Sequence, residues 1–436
     1  MKRALIITYY WPPSGGAGVQ RPLKFVKYLS RHGVRPTVLT VDPEHAAYPV
    51  LDPSLSADVP DDIEVVRTRS FEPLRFLARV FGGEVVPRAG FAGEPPPGLF
   101  KRGLRWSRGN LFIPDARRGW VRHAVRAATD LLRQGHFDAV VISSPPHSAQ
   151  LIGLALKKRF PQLRWIADLR DPWTDMWYTR ELMQGAWAAR RNAAWEERVV
   201  RTADVLLTTG PSLKRTLTGR YGADAGERIH VVPNGYDAAD LPTSAPGPPE
   251  GEFRITYVGS MAASYDPAVF FRALGRVTRE SPQARITFHG VGAIDPLIQA
   301  MARAAGVNCT WSPPVVHAAA LSAMHAAHVL LLVLPDAPGV EQVLPGKLFE
   351  YLASRRTIVA IGPVGSDVDT VIRECDAGRM FDRTMEDELH AHLAGMLRRH
   401  LAGEDLRVQG DAHRRYTRES LTARLAALIA NSASDT

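Results

Sequence analysis

A chain of 436 residues is too long for one hydrophobic core and suits two domains. Its 45% hydrophobic and 23% charged content is that of a soluble globular protein, and no apolar run approaches the roughly 18 residues a bilayer span needs. The net charge of +9 is uneven: residues 1–245 carry 35 Lys and Arg against 24 Asp and Glu, whereas residues 246–436 carry 19 against 21.

Met1-Lys2-Arg3 precedes an apolar-aromatic run from Ala4 to Trp11. Pro12-Pro13-Ser14-Gly15-Gly16 is a poor cleavage site, so the run reads as a first buried strand, Ala4–Tyr10, and not as a signal peptide. Pro12–Gly18 is a Gly/Pro turn. Val19, Leu23, Val26 and Leu29 then form one helical stripe, stopped by Gly33, and Arg35–Val41 is a second strand. The first 41 residues are therefore a βαβ unit whose Gly15, Gly16 and Gly18 let the backbone approach a ligand closely. This turn is neither G-x-G-x-x-G nor a Walker loop, and by itself says little about nucleotides.

Ile63–Thr68 is the next strand. Residues 70 to 117 look irregular, with an amphipathic piece at Phe71–Phe81, and an insertion of that length suits a substrate loop or lid. Between Lys101 and Arg126 stand eight basic side chains and one acid, Asp115, interleaved with apolar and aromatic residues such as Leu104, Trp106, Phe112 and Trp120. That mixture fits an anionic membrane surface better than nucleic acid, with a merely solvated basic face as the plain alternative. Arg118–Arg133 reads as a helix and Asp138–Ser143 as a buried strand, followed by the turn Ser143-Ser144-Pro145-Pro146-His147-Ser148. Arg164–Leu169 delivers Asp168, Arg170 and Asp171 to a strand's C-terminal edge, where open α/β sheets bind ligands. A helix at Ala186–Thr202 and strands at Asp204–Thr209 and Ile229–Val232 complete this half.

Leu241–Gly251 holds four prolines and two glycines and is the linker. The pattern then restarts: strand Phe253–Val258, loop Gly259–Tyr265, helix Pro267–Arg279, strand Arg285–His289, helix Ile294–Ala305 and strand Val329–Leu334. Val343–Gly362 follows as loop, short helix and strand. The N-terminus of that helix, at Gly346, offers unpaired amides and a positive dipole end to phosphate, with Lys347 as a mobile charge in the first turn. Glu350 lies on the same face, where a carboxylate can accept two ribose hydroxyls; the bland alternative is a solvated Lys347–Glu350 pair. Val368–Cys375, Glu386–His400 and Ser420–Ala430 read as closing helices. Two α/β halves joined by a proline-rich linker point to twin Rossmann-like domains facing a cleft.

Several stretches together resemble one family. They are Pro12-Pro-Ser-Gly-Gly-Ala-Gly, Leu29-Ser-Arg-His-Gly, Val232-Pro-Asn-Gly-Tyr-Asp, Tyr257-Val-Gly-Ser and, above all, Gly346-Lys-Leu-Phe-Glu-Tyr-Leu-Ala. In this order and spacing the chain resembles the GT-B glycosyltransferases, specifically the retaining family 4 group. Ile113-Pro-Asp-Ala-Arg-Arg-Gly-Trp and Asp168-Leu-Arg-Asp-Pro-Trp suggest a closer subgroup. The resemblance implies a GT-B α/β fold: an acceptor-binding domain at 1–240, a linker at 241–251, a nucleotide-sugar domain at 252–412, and a C-terminal helix at 413–436 packed back on the first domain.

It also implies a hexosyltransferase-like enzyme that moves a sugar with retention from a nucleotide sugar to a glycan or lipid-linked acceptor in cell-envelope polysaccharide synthesis. Glu350 sits at the family's ribose position, and Gly15, Gly16, Gly18, Gly259 and Ser260 sit where amides approach the diphosphate. His147 matches the family histidine beside the transferred sugar, and Asp168 and Asp171 lie toward the acceptor. Two positions depart from the pattern. A glutamate is usual eight residues before Glu350, where this chain has Gln342 beside Glu341; and the usual Arg and Lys after Val-Gly are replaced at about Ser260 and Asp266. The diphosphate would then lean on Lys347, the helix N-termini and Arg21.

No cofactor, metal or nucleic acid is expected. Asp367-Val-Asp369 reads as the start of a surface helix, and His325-Ala-Ala-His328 lacks a partnering glutamate. With Cys309 and Cys375 the only cysteines, a reducing cytoplasmic setting is expected, with peripheral contact at the inner face of the membrane. The rival readings are a GT-B-fold nucleotide-sugar epimerase, which needs no acceptor, and a non-catalytic GT-B-like binding subunit.

Overall fold

The structure, a computed structural model, describes residues 1–72, 99–175, 182–242, 244 and 246–431. Its strands form two wholly parallel sheets. Seven strands make the first: β1 (Lys2–Ile7), β2 (Val34–Val41), β3 (Glu64–Thr68), β4 (Ala139–Ser144), β5 (Trp165–Leu169), β6 (Val205–Thr208) and β7 (Ile229–Val231). They lie side by side as β3-β2-β1-β4-β5-β6-β7. Six make the second: β8 (Phe253–Val258), β9 (Ile286–Val291), β10 (Cys309–Ser312), β11 (Val329–Val333), β12 (Thr357–Ile361) and β13 (Gly378–Phe381), ordered β10-β9-β8-β11-β12-β13. Each sheet reverses its winding once, between β1 and β4 and between β8 and β11. Such a switch point opens a crevice at the strands' C-terminal ends.

Central strands are apolar on both sides because helices cover both faces. In β1, Leu5 and Ile7 enter one core with Ile142 and Trp165, while Ala4 and Ile6 enter the other with Leu23 and Val26. In β11, Leu331 and Val333 face Ile255 and Phe271, whereas Leu330 and Leu332 face Leu348 and Leu352. The helix Arg418–Ala430 closes one face of the first sheet, burying Leu421, Leu425 and Ile429 beside Leu23 and Val26.

The chain divides into two compact units, Met1–Pro233 with Arg418–Thr436, and Asn234–Thr417. The sequence had set the corresponding breaks at 240/252 and 412/413. Tyr236 belongs to the second unit because its amide binds the Tyr416 carbonyl at 3.1 Å and its ring joins the core around Phe349.

Some elements differ from the sequence reading. The stretch read as irregular carries a helix at Leu99–Asn110, and the piece at Phe71–Phe81 falls, past residue 72, outside the described residues. The edge strands β10 and β13 were not expected. Asp367 and Asp369, expected on a surface helix, are 1% and 5% exposed; Asp369 accepts the Gly365 amide at 2.8 Å and so ties the turn to the helix start.

Candidate functional sites

In the second unit the switch point gathers the Gly259 loop after β8 and the helix Gly346–Ser354 after β11. The loop is fixed by close backbone packing. Gly259 N–H binds the Val291 carbonyl at 2.8 Å, and a Cβ on Gly292 would fall 2.2 Å from the Gly259 oxygen. Both glycines have strongly positive φ, +121° and +132°, which a side chain would strain. The helix begins after Pro345 with no side-chain cap, so its first amides keep their capacity for an anion.

Lys347 bends over the loop. Its Nζ donates to Tyr257 Oη at 2.5 Å, lies 4.0 Å from the centre of the Tyr257 ring, and would sit 3.5 Å from a Cβ on Gly259. Tyr257 Oη in turn donates to the Ser260 carbonyl at 2.6 Å. Burial pushes the ammonium down to about 7, against the pull of Glu350. Glu350 is not paired with Lys347 through a direct bond; its Oε1 lies 2.9 Å from His317 Nε2. Gln342 is half-buried with Oε1 lacking a hydrogen-bond partner, while neighbouring Glu341 is exposed.

Arg383, which sequence reasoning missed, stands just past β13. It donates from Nη2 to the carbonyls of Tyr265 at 2.8 Å and Leu334 at 2.7 Å, and its buried Nε has no partner. No local motif announces it, since it stands 37 positions after the start of the Lys347 helix at Gly346 and only the sheet order brings it to Tyr265.

The first unit's switch point joins the loop after β1 to the turn after β4. Gly15 donates to the Val50 carbonyl at 2.9 Å, and Gly16, at φ +85°, precedes the helix Ala17–Leu29. Arg170 binds both segments: Nη1 donates to the Gly18 carbonyl at 2.8 Å, Nε to Ser144 at 2.9 Å and Nη2 to Pro145 at 2.9 Å. Arg21 was expected near a diphosphate. Its guanidinium instead grips Asp168 through Nε and Nη2, the latter at 2.8 Å, and the Pro233 carbonyl through Nη1 at 2.8 Å. Asp168 is fully buried and also accepts from Ser143 Oγ at 2.9 Å, so its carboxylate is occupied by the protein. Asp171 is half-buried, and burial raises its carboxyl more than Arg170 lowers it.

His147 opens a short 3₁₀ turn and stacks on Trp173 at 4.8 Å, the rings 12° from parallel. Both ring nitrogens are buried without hydrogen-bond partners. Burial pushes the imidazole down to about 4, with Asp115 opposing and Arg170 assisting, so it is neutral at physiological pH. Asp115, not foreseen as a site residue, accepts from the amide and hydroxyl of Ser148 at 2.8 and 2.7 Å and so fixes the histidine's neighbour.

A cavity of about 570 Å³ in the same unit is lined by Phe71, Val121, Leu151 and Trp195 together with Arg118 and Arg122. Its apolar wall and two guanidinium-bearing residues suit an amphiphile with an anionic head.

Residues 19–240, half of the chain, match the family described as Glycosyltransferase Family 4. A stretch of 106 residues is 34% identical to glycogen synthase from Mycobacterium tuberculosis; it covers 24% of this chain and only 25% of that protein. Among solved structures, the lipopolysaccharide outer core galactosyltransferase WaaB superposes with a TM-score of 0.58 at 14% identity, covering 98% of this chain and 99% of that one. Sucrose-phosphate synthase from Thermosynechococcus elongatus gives 0.54 at 13% identity, with 98% of each chain covered. Staphylococcus aureus TarM, in complex with fondaparinux, alpha-GlcNAc-glycerol and UDP, gives 0.56 at 8%, covering 99% and 100%. At these identities the likeness is one of fold.

Proposed function

This chain belongs to glycosyltransferase family 4, and from that premise we propose that it transfers a sugar, with retention, from a nucleotide-sugar donor to a glycan or lipid-linked acceptor of the cell envelope. The observation that carries the reading is the preorganised cationic nest of the second unit: Lys347 held over the Gly259 loop by Tyr257, beside an uncapped helix start.

In this reading the donor's diphosphate occupies the nest, held by Lys347, the amides of Ser260 and Gly346, and Arg383, with Gly259 letting the backbone approach closely. The ribose hydroxyls donate to Glu350. Gln342 takes the sugar contact in preference to Glu341, because its Oε1 is enclosed without a partner while Glu341 is exposed. During transfer the bond from the anomeric carbon to the diphosphate oxygen breaks while a bond to the acceptor oxygen forms on the same face. The leaving phosphate oxygen takes the acceptor's hydroxyl proton. Fixed amides and cations stabilise the charge that develops on that phosphate, a role worth about 2.7–4 kcal/mol per donor in comparable sites. His147 is neutral and acts by hydrogen bonding, not as a nucleophile. Asp168 is a positioning residue that acts through Arg21, the turn with Gly15, Gly16 and Gly18 lets the backbone approach the diphosphate, and Asp171 borders the acceptor.

The Arg118–Arg122 cavity suits the anionic and apolar parts of a lipid-linked acceptor, and the basic helix Leu99–Asn110 suits an anionic membrane surface. Incubation with UDP- and GDP-sugars plus lipid-linked acceptors should release nucleoside diphosphate. Glu350→Ala should weaken donor binding by about tenfold or more, as expected for loss of charge-assisted hydrogen bonds of ~1.5–3 kcal/mol. Failure of every nucleotide sugar to bind would overturn the reading.

A further inference from the structure

At the opposite end of the helix Gly346–Ser354 lies a second cavity, of about 300 Å³, whose wall contains Arg355, Arg356, Arg407, His325, Ser354 and Gln409. The helix has nine residues, so the cavity is separated from the Lys347 end by about 13 Å of helix axis. None of these residues takes part in the site described above.

The wall is cationic and incompletely satisfied. Arg355 caps the helix in a left-handed conformation, φ +56°, and donates from Nε to the Val408 carbonyl at 3.2 Å. Arg356 donates from Nη2 to the His325 carbonyl at 2.6 Å, but its Nε is buried with no partner. His325 Nε2 is likewise buried with no partner. Arg407 is neutralised by Asp405, 2.7 Å from Nη2, and this carboxylate is held at about 2 by that contact. Arg355 and Arg356 have no carboxylate of their own among the hydrogen bonds and ion pairs of the described residues.

Neutralising the negative end of a helix explains cations at positions 355 and 356. It does not explain a cavity walled by them together with Arg407. An oxyanion in the cavity would face the side chains of Arg355 and Arg356, which have no carboxylate of their own, and that attraction would outweigh the weak opposing helix dipole. We propose that this cavity is a binding site for a phosphate group, separate from the site that holds the nucleotide. The volume stands at the lower end of ligand pockets, which run from ~300 to ~1,000 Å³, so it admits a phosphate monoester with a small organic part as well as the free ion.

The test is thermal stability and calorimetric titration of the full chain with inorganic phosphate, with chloride at matched ionic strength as control. Wild type and Lys347→Met should both show a saturable rise in Tm. Arg407→Glu and Gln409→Glu alter exposed residues of the wall and should keep the native circular dichroism, while phosphate binding weakens about tenfold or more. Parallel titration with a hexose phosphate separates the sources: tighter binding than inorganic phosphate identifies a phosphorylated metabolite as the ligand, and equal binding identifies the ion. The proposal is overturned by a wild-type response no larger than that to chloride, by an undiminished response in both wall variants, or by loss of the response in Lys347→Met, which would put the phosphate in the nucleotide nest.

Discussion

Under the proposed donor reading, Lys347 joins stability to ligand capture. Its folded pKa of about 7 lies below the ~10.4 of an unfolded lysine. Between those values the unfolded chain holds a proton that the folded chain does not, so this residue makes stability rise with pH across the window. Diphosphate binding reverses the preference, because the anion favours the ammonium. Affinity for UDP or GDP should therefore fall above pH 7, by at most about tenfold per pH unit, with proton uptake seen by calorimetry in buffers of different ionisation enthalpy. Lys347→Met should flatten both slopes and weaken nucleotide binding at pH 6.5; an unchanged affinity profile would remove Lys347 from the nest. The sequence singled out Lys347 and Glu350 as candidates because a break, an apolar stripe and two charges fall within a few residues. It hid Tyr257, Arg383 and the His317 partner of Glu350, which reach the site only through tertiary contacts.

At the scale of elements, the turn carrying His147 is held from three directions, by Arg170, by Asp115 and by the Trp173 ring. Arg170 follows directly on β5, whose Asp168 is buried with Arg21 at 0% and 1% exposure. Asp168→Asn leaves the Arg21 guanidinium enclosed without a counter-charge, and breaking such a pair costs about 3–5 kcal/mol. Chemical denaturation of the variant should show that loss in the first unit. The paired change Arg21→Met with Asp168→Leu should recover much of it, and a small effect of Asp168→Asn would mean the pair is not holding β5 to the first helix. The strand end was legible from its position in the βαβ pattern, but the occupation of the carboxylate was not, because Arg21 stands 147 residues earlier. The edge strands β10 and β13 escaped notice for a different reason: Cys-Thr-Trp-Ser and Gly-Arg-Met-Phe are four residues each and lack the continuous apolar run of a central strand. The helix Leu99–Asn110 is the element on which the membrane reading rests, with Arg102 and Trp106 exposed on it. Replacing Arg102, Arg105 and Arg108 with glutamate should reduce sedimentation with phosphatidylglycerol vesicles and steepen its loss with salt, leaving neutral vesicles unaffected; equal binding to anionic vesicles would refute the patch.

For the whole molecule, the order of glycine turns, apolar strands and the proline-rich stretch made the two-sheet α/β architecture readable, since each repeats the period of a buried parallel strand followed by an amphipathic helix. The positions at which the compact units divide were less readable: the second begins at Asn234, before the proline-rich stretch, because Tyr236 packs with Phe349 and Tyr416 and composition carries no record of that contact. The chain also leaves the first unit and returns to it at Arg418. That return has an energetic consequence. Leu421, Leu425 and Ile429 are each at most 1% exposed, and burying a side chain of this kind is worth about 1.5–3 kcal/mol. Their combined contribution, about 5–9 kcal/mol, is comparable with the ~5–15 kcal/mol stability of an ordinary domain. A chain ending at Thr417 should therefore lose the cooperative calorimetric transition of Met1–Pro233. Asn234–Thr417 keeps its own sheet and cores, so its transition should persist and still shift upward with added nucleoside diphosphate. If both transitions survive truncation, the helix is an accessory to the first core; if both vanish, the two units do not fold independently.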